Sequence, residues 1–205
     1  VYLARPAEPV NDLELVGDVA FLAVGRAGLR VVDLSNPDAP REIAAYDTPG
    51  TALGVEVLGD HAYIADGEEG LRILDITNPA APKEVGVFNV PGRAEDVAVD
   101  AKHAYIAAGR AGLLLVNIQD KARPNKPKDY QDYKINTGVM RVVVQGEFAY
   151  VADSRNQLHI VRVNRPRQVE GVSIFAAKAP LQNLIVLGGG VGGAPLRPPH
   201  VLPGD

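Results

Sequence analysis

The chain has 205 residues, of which 46% are hydrophobic and 22% are charged, and this is the composition of an ordinary globular protein. Its formal net charge is −4, so it lacks the broad cationic field that binds nucleic acid, and no stretch approaches the roughly 18 consecutive apolar residues of a membrane helix. The sequence has no cysteine, which excludes disulfides, zinc–thiolate sites and covalent haem attachment through thioether bonds.

Along the chain, the first feature is a segment that recurs at a nearly fixed interval. Its copies, spaced by 42, 42 and 45 residues, are Val19–Ala23, His61–Ala65, His103–Ala107 and the last five-residue copy at 148–152. A second landmark follows each copy in the same phase, at Gly28, Gly70 and Gly112 and, in eroded form, at Gln157. A repeat of this length indicates a solenoid or a propeller.

Each repeat unit contains four short runs of strand-forming residues. In the second unit these runs are 53–58, 62–65, 71–76 and 83–88, separated by Gly, Asp, Asn and Pro residues. Such runs are typical of β-strands joined by turns, and no stretch shows the helical period of about 3.6 residues. Four strands in each unit are the pattern of a propeller blade. We predict an all-β propeller of four-stranded blades, with about four to five blades present.

The second unit also carries a specific motif. It contains Ala-Tyr-Ile-Ala-Asp-Gly at 62–67, Gly-Leu at 70–71 and Asn-Pro at 78–79, followed by Pro82. This unit resembles the LVIVD repeat of bacterial and archaeal propeller proteins, and the resemblance covers roughly residues 12–180. It implies a β-propeller, commonly on proteins exported to the periplasm or cell surface and sometimes beside multihaem cytochromes. It implies no single activity.

One aromatic residue recurs at the same phase of every unit. Tyr63, Tyr105 and Tyr150 are equivalent, and Phe21 replaces tyrosine in the first unit. An aromatic side chain at a fixed phase fits repeated packing between blades. We therefore expect all four rings to be largely buried there.

The fourth unit is followed by one more first-strand pattern at 183–187 and then by a Gly/Pro-rich tail at 188–205. We assign residues 1–187 to propeller blades. Because the sequence begins at Val1 and the blade count is small, we expect a fragment of a longer polypeptide or a partner-completed propeller. The alternative is a small ring closed by pairing residues 1–10 with the last strand.

The tail composition disfavours regular strand or helix. We expect the tail to dock on a neighbouring surface and to contribute to assembly. Its apolar anchors would be Val191, Leu196, Val201 and Leu202. The same tail contains Gly-x-Gly-x-x-Gly, but prolines follow it where a nucleotide site requires a helix, so we predict no nucleotide.

The third unit carries a long insertion at 120–138, and this is the predicted binding loop. It combines basic residues with tyrosines, and we assign Lys126, Lys128, Tyr130 and Tyr133 to partner binding. Loops on a rigid scaffold commonly carry recognition, and this composition is typical of interfaces. The alternative is a solvated basic loop whose tyrosines pack back on the blade.

Other polar residues are candidates for a site. Carboxylates at the channel mouth, namely Asp12, Glu14, Glu56 and Asp96, could support acid–base chemistry or hold a cation. The acidic turn at 66–70 could bind calcium, but its counterparts in other units lack the carboxylates, and a solvated turn is favoured. The two aspartates Asp33 and Asp75 are expected to fix the turn after the third strand.

The four histidines are His61, His103, His159 and His200, and none has a ligand cluster of the usual spacing. His61 and His103 are interpreted as hairpin residues, while His159 or His200 could ligate a metal or haem on a partner. We therefore predict no cofactor and no metal. The predicted function is a non-catalytic module that mediates protein–protein contacts in an exported or cell-surface assembly, multihaem cytochromes included. The alternative is a metal-dependent or hydrolytic enzyme that uses the channel carboxylates.

Overall fold

The computed structural model describes residues 8–177, and these residues form fifteen β-strands. No helix capable of spanning a membrane is found in this range. The strands form four antiparallel sheets, in which each strand pairs with its neighbours in the sequence. The prediction of successive propeller blades is confirmed, and the described sheets form part of a propeller without closing a ring.

The first two sheets are complete blades, and their strand bounds are close to the predicted runs. Blade 1 contains β1 (Asp12–Val16), β2 (Val19–Ala23), β3 (Leu29–Asp33) and β4 (Arg41–Tyr46). Blade 2 contains β5 (Gly54–Leu58), β6 (His61–Ala65), β7 (Leu71–Asp75) and β8 (Lys83–Phe88).

The other two sheets are blades 3 and 4. Blade 3 contains β9 (Asp96–Val99), β10 (His103–Ala107) and β11 (Leu113–Asn117). Blade 4 contains β12 (Val139–Gln145), β13 (Phe148–Asp153), β14 (Gln157–Arg162) and β15 (Glu170–Ala176).

Blade 3 departs from the prediction of four strands in every unit, because the insertion replaces its fourth strand. Only two isolated bridges, Asn117 with Asn125 and Leu113 with Tyr133, run along the free edge of β11. Pro124 and Pro127 lie in this stretch. Proline has no N–H to donate to a neighbouring strand, so a continuous ladder cannot form.

Consecutive blades are joined along their first strands and by a main-chain bridge. β1 contacts β5, β5 contacts β9, and β9 contacts β12. The turn after the second strand of each blade also pairs with the segment that enters the next one. The three paired positions are Gly25 with Ala52, Gly67 with Ala94 and Gly109 with Val139.

The core lies between the blades, in three apolar clusters. Phe21, Tyr63 and Tyr105 are at most 2% exposed, as the recurring aromatic pattern predicts. Tyr150 is only partly buried, so the prediction for this ring is wrong. The other three rings each face the next blade, whereas no further blade covers Tyr150 within residues 8–177.

The turn after the third strand is fixed as predicted. The carboxylate of Asp33 accepts a hydrogen bond from the backbone N–H of Ser35 at 2.9 Å, and that of Asp75 accepts one from Thr77 at 2.8 Å. Hydrogen bonding by the side chains of Ser35 and Thr77, followed by these backbone bonds, stabilises the ionised carboxylates and lowers the pKa of both aspartates. Their role is therefore structural.

Candidate functional site

The insertion at 120–138 is held against blade 3 by backbone hydrogen bonds at both ends. The N–H and C=O groups of Asn125 bond those of Asn117 at 3.1 and 2.8 Å, and Tyr133 bonds Leu113 in the same way at 3.0 and 2.9 Å. Between these points, the N–H of Gln131 bonds the carbonyl of Pro166 at 2.9 Å. The insertion therefore connects the edge of blade 3 to blade 4.

Two glycines allow the insertion to approach its neighbours closely. A Cβ added at Gly86 of blade 2 would lie 1.8 Å from the carbonyl oxygen of Lys121, and one at Gly171 of blade 4 would lie 2.2 Å from the Tyr133 hydroxyl. No real side chain can occupy such space. The insertion thus contacts blades 2, 3 and 4. Glycine is required at Gly86, where the close atom is a main-chain carbonyl oxygen, whereas at Gly171 it is the end of the Tyr133 side chain.

The two predicted binding tyrosines lie in this insertion, and both are partly buried against the cluster between blades 3 and 4. The Tyr130 hydroxyl is 2.9 Å from His103 Nε2, and the Tyr133 ring meets the His159 ring edge-on at 6.3 Å. Burial raises the pKa of Tyr130. Both rings therefore anchor the insertion, and each also remains partly exposed on its surface.

His103, the partner of Tyr130, also belongs to a polar network inside blade 3. The Tyr105 hydroxyl donates to Asp100 Oδ2 at 2.7 Å, and His103 Nδ1 lies 3.4 Å from the same oxygen. Burial, followed by the bond to this carboxylate, raises the pKa of Tyr105. His103 is thus a structural link between a blade hairpin and the insertion, which agrees with its interpretation as a hairpin residue.

The predicted binding lysines lie on the outer side of the insertion. Lys126 is exposed and forms an ion pair with Asp132, whereas Lys128 is exposed without an ion pair among residues 8–177. Nearby, Asp129 and Arg167 form an ion pair at 2.5 Å. A firmly attached segment therefore presents cationic side chains to solvent. The predicted tail anchors Val191, Leu196, Val201 and Leu202 lie outside the described residues.

The channel carboxylates do not act as one group, because two of them hold blades together. Asp12 Oδ2 accepts a hydrogen bond from the backbone N–H of Val55 at 2.9 Å, across the junction of blades 1 and 2. Asp96 Oδ2 accepts one from Val142 at 2.9 Å, across the junction of blades 3 and 4. Gly54 occupies the equivalent position in blade 2. Because glycine has no side chain, it cannot form this hydrogen bond at the junction of blades 2 and 3.

The remaining two carboxylates, Glu14 and Glu56, form no hydrogen bond in the described structure. Burial, then the neighbouring charge of Glu14, raises the pKa of Glu56 to about 8. Burial likewise raises the pKa of Asp96 to about 7, although Arg141 Nη1 lies 3.8 Å away and opposes the shift. These groups can hold protons near neutral pH, but no three acidic, histidine or cysteine side chains within residues 8–177 are arranged to hold a metal ion.

The acidic turn at 66–70 does not converge as a calcium site would. Asp66 is fully buried and accepts hydrogen bonds from the Thr48 hydroxyl at 2.6 Å and the Gly50 N–H at 2.9 Å, while Arg72 lies beside it at 3.6 Å. Glu69 pairs with the same guanidinium at 3.2 Å, so a cation already lies between the two carboxylates. The prediction of a solvated turn is therefore wrong for Asp66, whose buried carboxylate holds this turn to the segment at 48–50.

Blade 4 repeats this arrangement with different residues, which the sequence did not predict. Asp153 is buried and accepts hydrogen bonds from the Thr137 hydroxyl and from the backbone N–H groups of Arg155 and Gln157. His159 is 5% exposed, with its Nε2 3.1 Å from the same carboxylate. His159 is therefore not placed to ligate a metal or haem on a partner. The signal for the arrangement was the register equivalence of His159 with Arg72.

Comparisons with known proteins agree with this architecture. The sequence model of the LVIVD repeat matches residues 9–48, 49–90, 91–132 and 138–166. A comparison with curated proteins finds no match.

Solved structures similar to the chain include two computationally designed proteins, Ika8 and Ika4. Ika8 matches with TM-score 0.62 and 5% sequence identity, over 80% of this chain and 48% of the designed chain. Ika4 matches with TM-score 0.65 and 7% identity, over 80% of this chain and 96% of the designed chain. A functionally unknown protein from Desulfotomaculum acetoxidans DSM 771 matches with TM-score 0.65 and 13% identity, over 82% of this chain and 56% of that one. The chain thus spans about half the length of two of these three structures, and at this identity the likeness concerns the fold alone. Because four repeat matches cover most of its length, the chain belongs to the LVIVD repeat family.

Proposed function

We propose that the chain is a non-catalytic β-propeller module that binds other protein chains in an assembly outside the cytoplasm, with multihaem cytochromes among its partners. One observation carries the proposal: the insertion is fixed on three blades and yet exposes Lys126 and Lys128. A segment that is ordered before binding loses little conformational entropy on binding. The location outside the cytoplasm rests on the family resemblance.

The charge of the insertion selects the chemistry of the partner. Arg123, Lys126 and Lys128 are all exposed there, and residues 120–138 contain five basic and three acidic residues, a net charge of +2 in a chain of net charge −4. A local basic patch on an acidic protein favours an acidic partner surface and aligns it during encounter. Haem propionates and surface carboxylates of a cytochrome have this chemistry.

The non-catalytic part of the proposal is supported by what the channel carboxylates do. Asp12 and Asp96 each use an oxygen to hold the backbone of the next blade. We expect no calcium or magnesium binding at Glu56 by isothermal titration calorimetry. Binding of either ion that Glu56→Gln abolishes would instead favour the enzymatic or metal-dependent alternative.

The binding role is tested with a purified, acidic multihaem c-type cytochrome as the probe. We expect saturable binding that weakens as salt is raised, and a loss of at least about tenfold in affinity for the double variant Lys126→Glu and Lys128→Glu. The matched control changes two exposed lysines elsewhere, Lys83→Glu and Lys102→Glu. No binding, or equal losses in both double variants, would contradict the proposed site.

A further inference from the structure

Each terminal blade of the described array has an open apolar face. On blade 1, Leu13 and Leu15 are 53% and 56% exposed; on blade 4, Val172 and Phe175 are 49% and 63% exposed. Among residues 8–177, no other blade packs on either face. Contiguous exposed apolar surface on a folded protein commonly marks an interaction site.

The open face of blade 4 consists of residues whose equivalents in blade 2 are buried, or partly buried in the case of Phe88. Strand register defines these equivalents, since each occupies the same position of the same strand. The equivalent residues are Tyr150 and Tyr63, Leu158 and Leu71, Ile160 and Ile73, and Phe175 and Phe88. In blade 2 these residues pack against blade 3. Within the chain, a face of this type is therefore covered by the opposite face of the blade that follows it.

The open face of blade 1 is of that opposite type. Leu13 and Leu15 occupy the register positions that Val55 and Val57 hold in blade 2. Val55 is only 3% exposed, because it packs against blade 1 in the first inter-blade cluster. Blade 1 thus presents the surface that the preceding blade would cover.

The chain carries both halves of a junction that it already makes three times internally. We propose that these halves pair between copies of this chain, so that blade 4 of one copy packs on blade 1 of another. Such a contact joins two different surfaces and closes into a ring or extends as a chain of copies. The partner is a second copy because it supplies the matching apolar positions at both ends. The proposal uses neither Lys126 nor Lys128, and it stands independently of the proposed function.

The experiment measures the mass of the 205-residue chain in solution by light scattering over a wide range of concentration. Leu15→Lys places a charge on the face of blade 1, and Phe175→Lys places one on the face of blade 4. We expect the unaltered chain to associate, and each variant alone to associate at least about tenfold more weakly, because a buried unpaired charge disfavours the junction. Val87→Lys, at a residue 37% exposed on β8 of blade 2, is the matched control and leaves association unchanged.

Mixing the two variants is the decisive step. Each retains one intact face, so an equal mixture forms a two-chain species through the single junction that remains. Circular dichroism and thermal unfolding show that each variant is folded. The proposal is overturned if the unaltered chain is monomeric at every concentration, if only one variant weakens association, or if the mixture stays monomeric.

Discussion

The carboxylate of Asp96 in blade 3 accepts a hydrogen bond from the backbone N–H of Val142 in blade 4, at 2.9 Å. One side chain therefore holds the first strand of the next blade, and its other oxygen accepts the N–H of Val97 at 2.9 Å. We expect Asp96→Ala to lower the free energy of unfolding by about 1–3 kcal/mol, because a buried donor then loses its acceptor. Urea unfolding monitored by circular dichroism measures this loss.

Asp96→Asn separates the hydrogen bond from the charge. The amide oxygen can still accept from Val142, and the substitution removes the buried charge whose desolvation raises the pKa of Asp96. The loss should therefore be smaller than for Asp96→Ala. An alanine variant as stable as the unaltered protein would show that the bond contributes nothing.

Tyr105→Ala and Tyr150→Ala should lower the free energy of unfolding by different amounts, although the two tyrosines occupy equivalent positions. Tyr105 is 2% exposed between blades 3 and 4, so Tyr105→Ala should cost about 3–5 kcal/mol as a large-to-small core change. Tyr150 is only partly buried, and Tyr150→Ala should cost about 1 kcal/mol. Chemical unfolding of both variants, at concentrations where the chain is monomeric, compares them directly. Equal losses would mean that Tyr150 is covered in solution.

Gly86 should control the position of the insertion. The Cβ of Gly86→Ala would overlap the carbonyl oxygen of Lys121, so the insertion must move away from blade 2. We expect trypsin to cleave within 120–138 several times faster in this variant, because cleavage needs a locally detached segment. Val87→Ala, at the next residue, is the control and should be cleaved at the original rate. Unchanged cleavage in Gly86→Ala would contradict the close approach.

The raised pKa of Glu56 predicts a dependence of stability on pH. In the unfolded chain this carboxyl loses its proton near pH 4.5, whereas in the folded chain it keeps the proton until about pH 8. The folded state therefore binds more protons between these values, and the free energy of unfolding falls as the pH rises through them. The slope should lie below about 1.4 kcal/mol per pH unit, since Glu56 is partly solvated.

Glu56→Gln tests the assignment of this slope. The variant has no proton to lose at this position, so its stability should change less between pH 5 and about 8 than that of the unaltered protein. Thermal unfolding at a series of pH values measures the difference. Parallel curves for the two proteins would assign the slope to other groups, Asp96 first among them.

The sequence predicted the strands well because a blade strand is defined by local signals. Runs of strand-forming residues, turn residues and the period of about 42 residues placed β6, β7 and β8 within a residue or two. Two features depart from this pattern. The fourth strand of blade 3 was lost through prolines inside the insertion, and the burial of Tyr150 depends on a neighbouring blade.

The polar contacts could not be predicted either, because they join residues from different strands and turns. Asp153, Thr137 and His159 meet only when three separate strands and turns come together, and their spacing in the sequence matches no ligand or catalytic motif. Asp12 and Asp96 were interpreted by their position near the channel, whereas their partners are main-chain N–H groups. A main-chain donor carries no residue type, so the sequence cannot reveal it.

The main-chain bridges between blades have a consequence for how this chain can vary. The paired positions are 27 residues apart at the first two junctions and 30 apart at the third, where the insertion lies. All three bridges nevertheless form in the same place, so additional residues between β11 and Val139 leave the start of blade 4 where it was. Because the pairing uses backbone atoms, it also survives replacement of Ala52 and Ala94 by Val139. The segment after β11 is thus where the repeat can gain length, and new surface, without disturbing the blades that follow.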